Sequence, residues 1–108
     1  MKTALPKRLA QLVLTDADTI IFTAVDITII KDISMCSLND SALISIALLP
    51  QGATLANQHY LYKNLLLQLN ETLSLENRNI VLATGDSLVM RANFAVAASV
   101  FGVEFSEV

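Results

Sequence analysis

Leu55-Ala56-Asn57-Gln58-His59-Tyr60-Leu61-Tyr62-Lys63-Asn64-Leu65-Leu66-Leu67-Gln68-Leu69-Asn70-Glu71-Thr72-Leu73 is the stretch on which the fold class turns. Leu61, Leu65, Leu69 and Leu73 fall four apart with Leu66 beside them, the spacing that stacks side chains along one face of a helix. Gln58, Lys63, Asn64, Gln68 and Glu71 fill the remaining positions and supply a wet face. The spacing predicts an amphipathic helix over 55–73, the main helix of the chain. Pro50-Gln51-Gly52 separates it from what precedes, and Asn77 and Asn79 break the pattern after it.

The segments on either side read as strands. Ile20 to Ile33 is rich in Ile, Val, Thr and Phe, and Val25, Ile27 and Ile29 alternate with Asp26 and Thr28, which predicts a strand over 19–33 with the aliphatic side inward. Ser37-Leu38-Asn39-Asp40-Ser41 has turn chemistry. Ile44, Ile46 and Leu48 then alternate with Ser45 and Ala47, so a second strand over 41–49 is expected to pair with the first as a hairpin. Downstream, apolar runs at Ile80–Ala83 and Leu88–Phe94 flank Thr84-Gly85-Asp86-Ser87, a tight-turn signal, and predict a second hairpin of strands 79–84 and 87–95. Near the N-terminus, Pro6 suits a first helical turn and Leu5, Leu9, Leu12 and Val13 recur at helical spacing, which predicts a short helix over 5–14. The expected fold is a single α+β domain, residues 1–108, with an antiparallel sheet packed on one main helix as a two-layer sandwich. An alternative parse takes Ile80–Thr84 as a parallel strand, Asp86–Phe101 as a helix capped by Ser87, and Val103–Phe105 as another strand, which would make a doubly wound α/β domain.

Composition narrows the function. The hydrophobic fraction is 54% and the charged fraction 16%, against roughly 45–50% and 25% in an average soluble chain. Three glycines and two prolines in 108 residues exclude collagen-like and disordered classes. A net charge of −3, with only Lys2, Lys7 and Arg8 close together among the basic residues, is the wrong sign for a phosphate-binding surface, so no nucleic-acid partner is expected. The single cysteine, Cys36, cannot form an internal disulfide, which suits a reducing cytoplasm. The apolar run Leu9–Leu14 is short for a secretion signal and ends at Thr15-Asp16-Ala17-Asp18. The charge-free stretch Ser41–Tyr62 is interrupted by Pro50, Gln51, Gly52, Asn57, Gln58 and His59, so no membrane span is expected. Without a secretion signal, the acceptor patterns at Asn39-Asp40-Ser41 and Asn70-Glu71-Thr72 read as coincidence.

Residue types that carry chemistry are sparse. His59 is the only histidine and has no partner acid or nucleophile by spacing, so it reads as a partly exposed helix residue. One cysteine and one histidine cannot furnish a four-ligand zinc site, and Met35-Cys36 reads as core filling. Asp16 and Asp18 alternate like calcium-loop carboxylates but lack that motif's glycine and closing glutamate, and one glycine in Thr84-Gly85-Asp86-Ser87 is too few for a phosphate cradle. No catalytic residue, metal or cofactor is expected, and the chain reads as a non-enzyme.

Surplus apolar material is the stronger signal. Phe22, Ile30, Tyr60, Tyr62, Val89, Val100, Phe101 and Phe105 exceed what one small core can hold beneath so few charges, and exposed apolar patches mark interfaces. The candidate interface residues are Tyr60, Tyr62, Val89, Phe101, Phe105, Val100 and Arg91, the last facing outward on its strand with Val89. A homo-oligomer, or a protein partner or client, is expected.

Residues 60–108 also resemble a known family. Leu65-Leu66-Leu67-Gln68-Leu69-Asn70, then Leu73-Ser74-Leu75, then Leu88-Val89-Met90 running into Phe94-Ala95-Val96-Ala97-Ala98-Ser99 and an acidic end, are similar to the YjfI-like family of small bacterial proteins of unknown function. Arg91 and Ala92 stand where that family has an aromatic and a glycine. The resemblance implies a partner-binding accessory protein, without catalytic residues, associated with relatives of the phage-shock membrane-stress protein. More distantly, the acidic character and the order of helices and strands are similar to type III secretion chaperones. That likeness implies a cytoplasmic, chaperone-like homodimer of mixed α/β structure holding an extended client segment.

Overall fold

Alternation with a period of two organises the chain in the computed structural model, which describes residues 2–38, 40–76 and 79–107. The strands are β1 (Lys2–Leu14), β2 (Thr19–Thr23), β3 (Thr28–Ser37), β4 (Ala42–Leu49), β5 (Tyr60–Leu67), β6 (Thr72–Leu75), β7 (Ile80–Leu82), β8 (Ser87–Ala92) and β9 (Val96–Glu107). Among the described residues the only helical element is a single 3-10 turn, Asn57–His59. Two antiparallel sheets result. The first runs β1-β9-β3, with β6 and β7 paired to successive stretches of the far edge of β3, and the second runs β2-β8-β4-β5.

The expected α+β fold, with its main helix over 55–73, is therefore replaced by an all-β sandwich. A spacing of four is a multiple of two as well as close to one helical turn, so leucines four apart suit one side of a strand equally well. Asparagines settle the matter locally. Asn64 and Asn70 lie in the left-handed region, with φ of 56° and 63°, which asparagine tolerates and a helix interior does not permit. Asn64 sits where β5 bulges against Ser45 of β4, and Asn70 lies in the turn between β5 and β6. That turn is tied by Gln68 N–H to Glu71 Oε1 (2.9 Å), Glu71 N–H to the Gln68 carbonyl (3.0 Å) and Ser37 Oγ to the same carbonyl (2.8 Å). The N-terminal helix over 5–14 is likewise strand β1, where Pro6 is tolerated because β1 is an edge strand. Asn39 of the first turn signal and Asn77 of the pattern break lie outside the described residues.

Neither predicted hairpin forms. The strand and turn positions near 38–41 and 83–86 match, but β3 lies in the first sheet and β4 in the second, and β7 and β8 are likewise divided. Each connection carries the chain across the gap between sheets instead of folding it back within one. The α/β alternative fails too, since residues 87–101 hold strands β8 and β9 and every pairing is antiparallel. The expected single strand over 19–33 is instead two, β2 and β3, in different sheets and joined by residues 24–27. Within β3 the expected facing is inverted: Thr28, Ile30 and Ile33 point inward and are fully buried, whereas Ile29 faces outward. Thr28 Oγ1 meets the Asp26 carbonyl at 3.0 Å, which satisfies the buried hydroxyl.

Facing sides of the two sheets make one core. Ile30, Ile33, Met35, Val96 and Val100 from the first sheet meet Ile44, Ile46, Leu67, Leu88 and Met90 from the second. Each such side chain contributes about 1.5–3 kcal/mol on burial. Three connections converge at Asp86, two of them crossing between the sheets. Its carboxylate accepts from Gln51 N–H and Ala83 N–H, both at 3.1 Å, while Gly85 N–H and the Asp86 carbonyl both bond Ala24, at 2.8 and 2.9 Å. Asp86→Ala is expected to lower stability by about 1–2 kcal/mol, because two backbone donors lose a charged acceptor. Urea denaturation would show it as a reduced midpoint with an unchanged slope.

Exposed sheet edges are guarded by irregularity. Edge strands β1, β2 and β5 each carry an extra residue against their neighbours, at Leu9, at Ile21, and at two places in β5. Bulges of this kind twist an edge away from further strand pairing.

Candidate functional site

The outward sides of the two sheets differ, and the difference is set by register. On the second sheet, Ile20 of β2, Val89 of β8, Ala47 of β4 and Tyr60 of β5 form one row. Its two central members are already covered, Val89 being 4% and Ala47 1% exposed. Arg91 lies in the next row beside Ser45 and is exposed. Lys63 holds its ammonium 4.9 Å from the Tyr60 ring centre, and further along that edge Leu43 and Leu66 pair as an exposed apolar row, 40% and 54% exposed.

On the first sheet the outward rows cross β1, β9 and β3 in order. Pro6, Val103 and Ile29 make one, extended by Val81 of β7, which is 56% exposed. Arg8, Phe101 and Asp32 make the next, with Phe101 39% exposed. Gln11, Ser99 and Ser34 follow, extended by Ser74, and then Val13, Ala97 and Cys36. Phe105 continues the apolar end, its N–H bonded to the Ile27 carbonyl at 2.9 Å. This sheet therefore presents a band of aliphatic and aromatic side chains, with a cation on one flank of Phe101 and a carboxylate on the other.

The predicted interface residues divide among three places. Phe101 and Phe105 lie on the outward side of the first sheet, while Tyr60, Val89 and Arg91 lie on the outward side of the second, across the sandwich. Tyr62 points inward from β5 and packs on the core, and Val100 is fully buried within it. The structure brings Phe101 and Phe105 together and keeps the others away from them. Pro6, Arg8, Ile29, Asp32, Val81 and Val103 join that band unforeseen, because only the pairing of β1, β9, β3 and β7 assembles them. The aliphatic alternation at Ile27 and Ile29 is visible in the sequence but points there to the core.

The residues singled out for chemistry stay apart. His59 accepts from Ala56 N–H through Nδ1 at 3.0 Å and closes the 3-10 turn before β5, in the second sheet. Cys36 lies on β3 in the first sheet, half-buried, with Sγ 3.6 Å from the Ser37 carbonyl. Asp16 and Asp18 are exposed in the connection from β1 to β2. Among the described residues there is no cavity, and no three His, Cys, Asp or Glu side chains are grouped to hold a metal ion. No helix among them is long and apolar enough to cross a membrane.

The chain has no significant match among family models, curated proteins or solved structures.

Proposed function

We propose that this chain is a non-enzymatic protein-binding module, an adaptor or chaperone-like accessory protein that acts through the outward side of its first sheet. The observation that supports this most is the row Pro6, Val103, Ile29 and Val81 with Phe101 and Phe105 beside it. Water-facing sides of antiparallel sheets are ordinarily polar, and contiguous apolar patches on soluble domains mark contact surfaces. A cytoplasmic setting, as the lone Cys36 suggests, belongs to the same reading.

Native co-purification with a tagged chain tests it. Phe101→Asp and Val103→Asp, checked by circular dichroism to be folded, should each reduce the retained partner at least tenfold. Arg91→Glu on the other sheet and His59→Ala should retain it. A folded Phe101→Asp chain that kept its partner, or an Arg91→Glu chain that lost it, would place the contact elsewhere.

A further inference from the structure

Resting on that reading of the face, we infer that its occupant is a second copy of this chain, docked about a two-fold axis that runs along β9 through Phe101. Such an axis turns one sheet over onto another and reverses every row from left to right, so β1 of one copy faces β3 of its partner. Each row is complementary to its own reverse. Pro6 would meet Ile29, and Val103 its own counterpart. Arg8 would meet Asp32 on both sides of a central pair of Phe101 rings. Gln11 would meet Ser34 about a pair of Ser99 side chains, and Val13 would meet Cys36. Apolar thus faces apolar, cation faces carboxylate and hydrogen-bonding groups face one another in four successive rows.

Other placements lose this match. An axis across the strands would reverse the order of rows, laying Val103 and Ile29 against the serine row. Lys31, the extra residue beside Asp32 on β3, carries a charge of the same sign as Arg8, but its ammonium bonds Asn79 Oδ1 at 2.6 Å, on the side away from β9. Aligned sheet packing at about −30° with sheets about 10 Å apart accommodates the arrangement. The face spans about 26 Å along β9 and about 15 Å across three strands. That is roughly 800 Å² over the two copies, below the standard range of specific interfaces, and predicts a weak dimer that dissociates in the micromolar range or above.

Charge exchange between chains is the test, because only contact across two copies predicts its outcome. Arg8→Asp alone would set a new carboxylate against Asp32 on both sides of the axis, and Asp32→Arg alone would set a new guanidinium against Arg8 on both sides. Each variant should be a monomer of 11.7 kDa by light scattering at concentrations where the unaltered chain is a dimer. Mixed in equal amounts, the two should form a one-to-one heterodimer in native mass spectrometry. One of its two contacts then pairs the original Arg8 and the original Asp32 lost from neither side, so the mixture must be compared with each variant alone. A second measurement leaves the charged residues untouched. Compared with the unaltered chain, whose half-buried Cys36 lies one strand away from the axis, Phe101→Cys should be joined to its copy by a short bismaleimide, and Val81→Cys, far from the axis, should not. An unaltered chain that stays monomeric at all concentrations, or a mixture that yields no heterodimer together with an unlinked Phe101→Cys, would overturn the dimer. If the chain is monomeric but still loses a native partner on Phe101→Asp, the dimer falls and the protein-binding reading of the face survives.

Discussion

Gly102→Ala is expected to destabilise the protein by about 2–3 kcal/mol, lowering its thermal midpoint by about 8 °C or more. Gly102 lies at the middle of β9, between the two places where its neighbours bulge, at Leu9 on β1 and at Lys31 on β3. The β3 backbone and the Leu9 side chain both crowd it. A Cβ there would press on the backbone carbonyl oxygen of Ile29 and lie 3.1 Å from both Ile30 Cα and Leu9 Cδ1. Two of these three atoms are backbone in a paired strand and cannot step aside without opening the β3–β9 ladder. Urea titration followed by circular dichroism would measure the loss. A variant as stable as the parent would mean that the two bulges relax freely, and the account of close approach would be wrong.

Ile46→Ala should cost about 2–5 kcal/mol, the range for deleting a fully buried aliphatic side chain and leaving a partly collapsed cavity. Ile46 is 0% exposed on β4, a central strand of the second sheet, with Met90 of β8 and Tyr62 of β5 directly opposite it. Both neighbours are held in ladders, so the walls of the cavity have little freedom to close. Domains of this size are stable by about 5–15 kcal/mol, so this one change removes a large share. Ile46→Val should cost about 0.5–1.5 kcal/mol by the same argument. The two variants together separate cavity size from strand propensity, since valine keeps the β-branched shape and alanine does not.

Strands with clean alternation are readable one at a time. In β4 and β8 the spacing puts Ile44, Ile46, Leu88, Met90 and Ala92 on the inner side, where they are buried, and Arg91 on the outer side. Turn chemistry also locates the connections at 38–41 and 83–86. The long leucine stretch misleads because its spacing satisfies two periods at once, and the asparagines that decide between them at 64 and 70 suit helix ends as well as turns. Of the candidate interface, Phe101 and Phe105 are legible as surplus aromatics. Arg8 and Asp32 are not, since nothing in their local sequence shows that β9 will lie between them.

The amino-acid order alone therefore determined an aliphatic content sufficient for a two-sided core and the strand character of residues 41–49, while at 87–95 it left a strand and a helix both open. Only the tertiary structure decided which strands share a sheet, which side of β3 faces the core, and which side chains meet on the outward face. The physical reason is that alternation distinguishes two sides of a strand without naming the inner one. A four-residue connection can fold back within a sheet or cross to the other, and the choice is made by how well the assembled sheets exclude water between them.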